Sequence, residues 1–241
     1  MKPLYINGKK QMQRLAGWCA ILSSPLYIAC LVLGYVGVNF NLAAFKATSL
    51  SFQAITGKGY IARWSMIFDL FGCYLLLIPL TLFLWNWLKS KNSSLVGLFS
   101  LCGLGYCLFG AMGASILAAV IPSQLDAYAQ VKGMTSQINE AVLTTFIHAI
   151  YHGVWGLLDT MLAGVWWIGM GVYLREERRI LGLYTIILGF FYLISGVCRI
   201  IGAETIAMVG LLVYFVLAPI WAALLGIDLL RKPIIFSNSC Q

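Results

Sequence analysis

Hydrophobic and polar positions alternate along this chain in long blocks. Six apolar blocks each reach the length of about 20 residues that a membrane-spanning helix needs. Charged or polar turns separate them, such as Lys89-Ser90-Lys91-Asn92 and Arg175-Glu176-Glu177-Arg178-Arg179. No block alternates with the period of two that is typical of a barrel strand. The pattern predicts an all-α, polytopic transmembrane bundle with spans at about 15–38, 64–88, 94–121, 146–174, 180–200 and 205–230.

Composition supports the same class. Of 241 residues, 61% are hydrophobic and 10% are charged, whereas about a quarter of the residues in a soluble domain are charged. The spans use nearly the whole chain, so we expect residues 1–241 to form a single integral membrane domain. Two longer connections, 39–63 and 122–145, are predicted to lie on the membrane surface or to cap the bundle.

The basic residues predict an orientation. The formal net charge of +8 is explained by basic cytoplasmic loops, because most Lys and Arg fall on one side when the N-terminus is inside. Both termini are then cytoplasmic. No basic stretch is long or interleaved with exposed aromatic residues, which argues against a nucleic-acid partner.

Small residues within the spans predict close helix packing. Such residues let backbones approach in a membrane, where no hydrophobic effect drives association between helices. Two stripes stand out: Ser100, Gly103, Cys107, Gly110 and Ala114 in the third span, and Gly182, Gly189 and Gly196 in the fifth. Tryptophans near the span ends, including Trp64, Trp87, Trp166 and Trp167, fit either interfacial belts or core packing.

Ionisable side chains at membrane depth are costly, and each therefore marks a candidate site. In the predicted topology they gather in the outer half of the bundle, where a water-filled, outward-facing polar pocket would accommodate them. The pocket candidates are Asp69, His148, His152, Trp155, Asp159, Arg199 and Glu204. The structural alternative pairs Arg199 with Glu204 or Asp69, with His152 bonded to a carbonyl. Asp228 is expected to pair with Arg231 or Lys232.

The fourth span carries the most specific spacing. His148, His152, Trp155 and Asp159 fall at i, i+4, i+7 and i+11, which places them on one face of an α-helix. Two imidazoles at i and i+4 can share a divalent metal. Because Asp159 lies about 10 Å further along the axis than His152, a third ligand would have to come from Asp69 or Glu204.

Three functional hypotheses follow. The first is a small permease-like or ligand-binding bundle that takes a small molecule or an ion. The second is a membrane-embedded, metal-dependent enzyme that uses His148 and His152. The third is a structural or assembly subunit that packs against another membrane protein or a second copy. The chain has no Gly-rich phosphate loop, GxSxG or HExxH motif, which argues against an enzyme, and no cofactor is predicted beyond the metal alternative.

Several patches together resemble an uncharacterised bacterial family of six-helix membrane proteins, known as a domain of unknown function. They are Arg14-Leu15-Ala16-Gly17, Arg63 with Ile67-Phe68-Asp69-Leu70, His152-Gly153-Val154-Trp155-Gly156 with Gly169 and Gly171, and Ile180-Leu181-Gly182. The resemblance covers most of the chain and implies a six-span fold in a bacterial inner membrane, without implying an activity. The charged run Arg175–Arg179 departs from the Ser/Pro-containing turn expected of the family.

Overall fold

The computed structural model describes residues 2–37, 58–130 and 134–232, and it contains six continuous helices there. Two of them, α2 and α4, include a π-helical segment. The helices are α1 (Lys2–Gly37), α2 (Gly59–Asp69, then π-helical Leu70–Leu75, then Leu77–Leu88), α3 (Ser93–Gln130), α4 (Met134–His148, then π-helical Ala149–Asp159, then Thr160–Glu177), α5 (Arg179–Ile200) and α6 (Glu204–Arg231).

The surface of the bundle is apolar. Leu101, Phe190 and Val216 are 58%, 52% and 61% exposed, and large hydrophobic residues like them occur on all six helices. Each helix is long and apolar enough to cross a membrane, and lipid is the solvent that such a surface requires. The chain is therefore a multi-pass membrane protein, and the predicted all-α fold with six spans is confirmed.

The helices form a closed ring in sequence order. Each helix packs against its two neighbours in the chain, and α1 packs against α6 to close the ring. At this closure a Cβ added to Gly226 would lie 2.7 Å from the carbonyl oxygen of Gly17, so the two backbones are in direct contact. Residues 38–57 lie outside the described residues, and so does most of the predicted 39–63 connection.

The predicted small-residue stripes are packing surfaces inside the chain. All five residues of the α3 stripe and all three glycines of the α5 stripe are buried. Gly103 lies against the Trp166 ring, and Gly189 lies against Trp167. These positions therefore do not provide the exposed small-residue face that the assembly hypothesis expected.

The predicted connection 122–145, expected to lie on the membrane surface or to cap the bundle, belongs mostly to two helices. Helix α3 continues through Pro122 to Gln130, and α4 begins at Met134. Leu125 and Leu143, each 1% exposed, belong to a second apolar cluster that these helix ends form with α2. The connection is mostly helical because its apolar residues recur at helical spacing and meet one another across the hairpin.

Polar contacts fasten one end of the ring. Lys91, before α3, forms ion pairs with Glu176 (3.1 Å) and Glu177 (2.9 Å) at the end of α4. Hydrogen bonds to these two carboxylates, that of Glu177 foremost, raise the pKa of Lys91. Gln13 in α1 donates to the carbonyl oxygen of Leu229 at 2.6 Å. The beginning of α3 thus meets the end of α4, and α1 at Gln13 meets the end of α6.

Asp228 belongs to the same end. Its carboxylate lies 2.9 Å from Lys232 Nζ, as predicted, and 2.9 Å from Arg178 Nε. The second partner of Asp228 is therefore Arg178, which precedes α5, and not Arg231, which was the other predicted partner. The guanidinium of Arg178 also lies 6.0 Å from the centroid of the Trp87 ring. One arginine thus links α2, α5 and α6.

Candidate functional site

Both π-helical segments adjoin a carboxylate. Asp69 immediately precedes Leu70–Leu75, and Asp159 is the last residue of Ala149–Asp159. A π-helical segment has i→i+5 hydrogen bonds, is rare, and frequently occurs at functional sites. Tyr74, in the first segment, reaches the carboxylate at the end of the second. The two irregular segments therefore meet at one place inside the ring.

Asp159 occupies the centre of this meeting point and is fully buried, with 0% of its surface exposed. Its Oδ2 accepts hydrogen bonds from the hydroxyls of Tyr192 (3.2 Å) and Tyr74 (3.4 Å). No described residue donates to Oδ1, and no described basic side chain forms an ion pair with Asp159. An ionised carboxylate without a cation is expensive in such surroundings.

Aromatic side chains from all six helices surround this carboxylate, and we call them the aromatic core. Its members are Tyr27, Tyr74, Tyr106, Trp166, Trp167, Tyr192, Tyr214 and Trp221. The Trp166 and Trp167 rings stack at 5.2 Å between centroids, and Tyr192 stacks on Tyr214 at 3.9 Å. Tyr106 contacts both tryptophans and Tyr74. The ring of helices is thus filled by π systems around one carboxylate.

A narrow cavity lies within this core; Asp159 does not line it, but Tyr192, which bonds to Asp159, stacks on Tyr214 of the lining. It has room for only about one water molecule. Its lining includes Tyr27, Cys73, Tyr106, Trp167, Tyr214 and Trp221. The Tyr27 hydroxyl and the Trp167 Nε1 are buried donors without an acceptor among the described residues. The cavity is therefore lined mainly by aromatic rings, two of which carry buried polar groups.

The tyrosine hydroxyls hold part of the cavity wall in place. Tyr106 Oη donates to the carbonyl oxygen of Cys73 at 3.0 Å and lies 3.2 Å from Tyr214 Oη. Cys73 lies in the π-helical segment of α2, where a widened turn leaves carbonyl groups available to side chains. The irregular backbone of α2 is thereby bonded to α3 at the cavity.

Asp69 lies next to this site, between α1 and α2. Its carboxyl group contacts the thiols of Cys73 and Cys30, and it interacts electrostatically with Asp159. Ser65 Oγ donates to the carbonyl oxygen of Cys30 at 2.9 Å. Of the predicted pocket residues, Asp69 and Asp159 are therefore neighbours.

His148 and His152 lie elsewhere, on the exposed surface of α4. Their rings contact each other edge to face, with centroids 5.0 Å apart. The prediction that they share one helix face with Asp159 was wrong, because Ala149–Asp159 is π-helical and its wider turn rotates Asp159 to the interior. In the described ranges no three His, Cys, Asp or Glu residues are arranged to hold a metal. Metal binding by the two histidines stays a prediction.

The remaining predicted residues surround the histidines or support the core. Arg199 and the exposed Glu204 interact electrostatically with His152. Arg199 packs against Gly156 and, among the described residues, forms no ion pair with Glu204 or Asp69. Trp155 Nε1 donates to the carbonyl oxygen of Gly110 at 3.3 Å, which joins α4 to α3. The seven candidates therefore divide into the group around the exposed histidines, Trp155 between α3 and α4, and the neighbours Asp69 and Asp159, without a common pocket.

The aromatic members of the site were missed by reasoning from sequence. Trp166 and Trp167 are 0% and 1% exposed and lie in the core, so the interfacial alternative for them was wrong. Tyr106, Tyr192 and Tyr214 are also buried. The sequence contained a signal for their burial. Tyrosine prefers the membrane interface, whereas these three tyrosines lie in the middle of apolar runs.

Comparison with known proteins adds no family to this description. No family model matches the chain, and neither a curated protein nor a solved structure matches it. The resemblance to a bacterial family of unknown function stays a prediction.

Proposed function

We propose that this chain is a small permease-like or ligand-binding bundle of the cell membrane, and that its ligand binds in the aromatic core at Asp159. The observation that carries the proposal is the fully buried Asp159 carboxylate, whose Oδ1 has no partner among the described residues. A group that costs this much to bury is a functional-site hypothesis by default in a membrane helix.

The position of the cavity supports the same proposal. Ligand sites of helical bundles lie between the helices and combine an apolar wall with a few polar groups. Here the wall is aromatic and carries the polar side chains Tyr27 and Trp167, and Asp159 lies behind it, bonded to Tyr192, whose ring stacks on Tyr214 of the wall. The proposed site is therefore central, in contrast to the outward pocket with histidines that the sequence favoured.

The localisation that we propose is a bacterial inner membrane with both termini cytoplasmic. The excess of basic residues in the cytoplasmic segments of this topology supports it. Lys91, Arg178 and Lys232 belong to the polar end of the bundle, where Gln13 of α1 also bonds to α6. This end would face the cytoplasm.

Ligand binding is favoured over the metal-dependent enzyme on geometric grounds. His148 and His152 are exposed, and the fully buried Asp159 bonds to Tyr74 and Tyr192 instead of approaching them. A hydrolytic metal site usually needs three protein ligands and a supporting second shell.

The test is ligand-dependent stability of the purified protein in detergent. Thermal unfolding is measured with small cations, anions and neutral compounds for the wild type, Asp159→Asn and the control Asp126→Asn, which changes an exposed carboxylate of α3. At about 100 times its Kd a ligand stabilises the folded state by about 2.7 kcal/mol. We expect at least one class to raise the Tm of the wild type and the control but not of Asp159→Asn. A panel that leaves the wild type unchanged, or shifts Asp159→Asn equally, would refute the proposal.

A further inference from the structure

We propose that Asp159 and Asp69 form a proton-binding site inside the membrane, in which Asp159 carries a proton and Asp69 exchanges it with water. This inference goes beyond the proposed function, because proton binding does not require the ligand of that proposal. Three features support it: the burial of Asp159 without a counter-ion, the unequal hydrogen bonding of its two oxygens, and the partial exposure of the neighbouring Asp69.

The first feature concerns the charge of Asp159. Its side chain is 0% exposed, and no described basic side chain forms an ion pair with it. An ionised carboxyl group there loses its hydration without gaining a counter-ion, and a second carboxylate nearby adds repulsion. The titratable side chains that face Asp159 from other helices are all acids: Asp69, Cys73 and Tyr74 of α2, Tyr106 and Cys107 of α3, Tyr192 of α5 and Tyr214 of α6. Asp159 and Asp69 therefore share a proton, and the more buried Asp159 carries it.

The second feature identifies the atom that carries the proton. Oδ2 of Asp159 accepts hydrogen bonds from Tyr192 (3.2 Å) and Tyr74 (3.4 Å), whereas Oδ1 has no partner among the described residues. Both oxygens of a carboxylate are acceptors, but a carboxylic acid has one O–H group and one carbonyl oxygen. Two donors on Oδ2 mark it as the carbonyl oxygen. Oδ1 is then the protonated oxygen, and one unpaired hydroxyl costs less than an unpaired charge.

The third feature gives the proton a route. Asp69 is partly exposed, whereas Asp159 has no exposed surface. The hydroxyl of Tyr74 bonds to Asp159, and Tyr74 also interacts electrostatically with Asp69, so it lies near both acids. The other groups around Asp69 are the thiols of Cys30 and Cys73, which contact its carboxyl group, and the phenol of Tyr151.

Chains of such acids inside membrane proteins conduct protons. The proton leaves Oδ1 of Asp159 for the carboxylate of Asp69, and Asp69 then releases it to water. At each transfer one O–H bond breaks and another forms, so the pair keeps one negative charge until the proton reaches water.

The experiment is infrared spectroscopy of the full chain in a maltoside detergent, which has no carbonyl group of its own. A protonated carboxyl group has a C=O stretching band that an ionised one lacks, and this band shifts when deuterium replaces the proton. The variants are Asp159→Asn, Tyr192→Phe, Asp69→Asn and Asp69→Glu. Asp126→Asn is the control, because it removes an exposed carboxyl group of α3.

We expect the band in the wild type and in Asp126→Asn at neutral pH, and its loss in Asp159→Asn. Tyr192→Phe keeps the ring that stacks on Tyr214 and removes one donor from Oδ2, so the band should move to higher frequency. In heavy water the deuterium shift should develop about tenfold more slowly, or slower still, in Asp69→Asn than in the wild type, because a positioned acid no longer relays the proton. Asp69→Glu should restore the rate.

Each contrary result has a distinct meaning. Absence of the band from the wild type at neutral pH overturns the inference, whether or not Asp159→Asn folds. A band of unchanged intensity in a folded Asp159→Asn also overturns it, and if that variant does not fold, an unshifted band in Tyr192→Phe has the same meaning. Equal exchange rates in Asp69→Asn and the wild type overturn the route through Asp69. None of these measurements includes the ligand of the proposed function, which therefore stands or falls separately.

Discussion

Gly103→Ala should test the packing around the aromatic core most directly. A Cβ on Gly103 would lie 2.7 Å from three atoms of the Trp166 indole. Trp166 cannot move aside easily, because it is 0% exposed and stacks on both Tyr106 and Trp167. A single added methyl group must therefore displace a stacked set of rings.

The magnitude follows from a comparison within one helix. A Cβ added to Gly97, also in α3, would lie 3.9 Å from the Trp85 indole nitrogen, which is ordinary van der Waals contact. Both replacements should stabilise the helix by the same amount, about 0.5–1 kcal/mol, because alanine favours the helical conformation more than glycine does. Their difference isolates the overpacking cost, which is typically about 1–3 kcal/mol. Gly103→Ala should therefore be less stable than Gly97→Ala by about that amount.

The assay is reversible unfolding in mixed micelles, followed by tryptophan fluorescence and by helical circular dichroism. Gly97→Ala should match the wild type or slightly exceed its free energy of unfolding. If Gly103→Ala proves as stable as Gly97→Ala, the close contact between α3 and Trp166 is wrong, and the described arrangement of the core is wrong with it.

The remaining predictions concern the polar end of the bundle and use the same unfolding assay. Asp228→Asn leaves Arg178 without its carboxylate partner and should cost about 1–3 kcal/mol; an unchanged midpoint would contradict this. Lys91→Met removes largely exposed ion pairs and should cost less than about 1 kcal/mol. Because Glu177 raises the pKa of Lys91, that stabilisation should be present at neutral pH and be lost only as the pH rises through this raised pKa, whereas Lys91→Met should lack this alkaline loss. Gln13→Leu removes an amide that bonds two α6-end carbonyls and should cost about 1–3 kcal/mol, with the helical signal of the folded state unchanged.

The spans could be predicted from sequence because length and hydropathy alone determine them. An apolar block of about 20 residues has few alternatives to a membrane helix. The predicted limits differed from the structure where a helix continues beyond the apolar block. Leu125 and Leu143 lie in such extensions and are buried in one apolar cluster. Hydropathy along the sequence does not indicate that these two segments pack against each other.

The candidate site was less predictable because it depends on backbone irregularity. Spacing arguments assume an α-helix, and the π-helical segment Ala149–Asp159 changes which residues share a face. Asp159 was therefore grouped with His152 instead of with Tyr74 and Tyr192. Its tyrosine partners are 85 and 33 residues away in the chain, and composition does not indicate that they meet.

The contact between Gly17 and Gly226 has a consequence for biosynthesis. Of the six described helices, α1 is made first and has one of its two neighbours in α6, which is made last of the six, so α1 can complete its contacts only after Glu204–Arg231 has been inserted. Tyr27 and Tyr214, which come from these same two helices, can meet only at that stage. A nascent chain that stops after α5 would consequently have an open bundle whose interior lacks Tyr214 and Trp221.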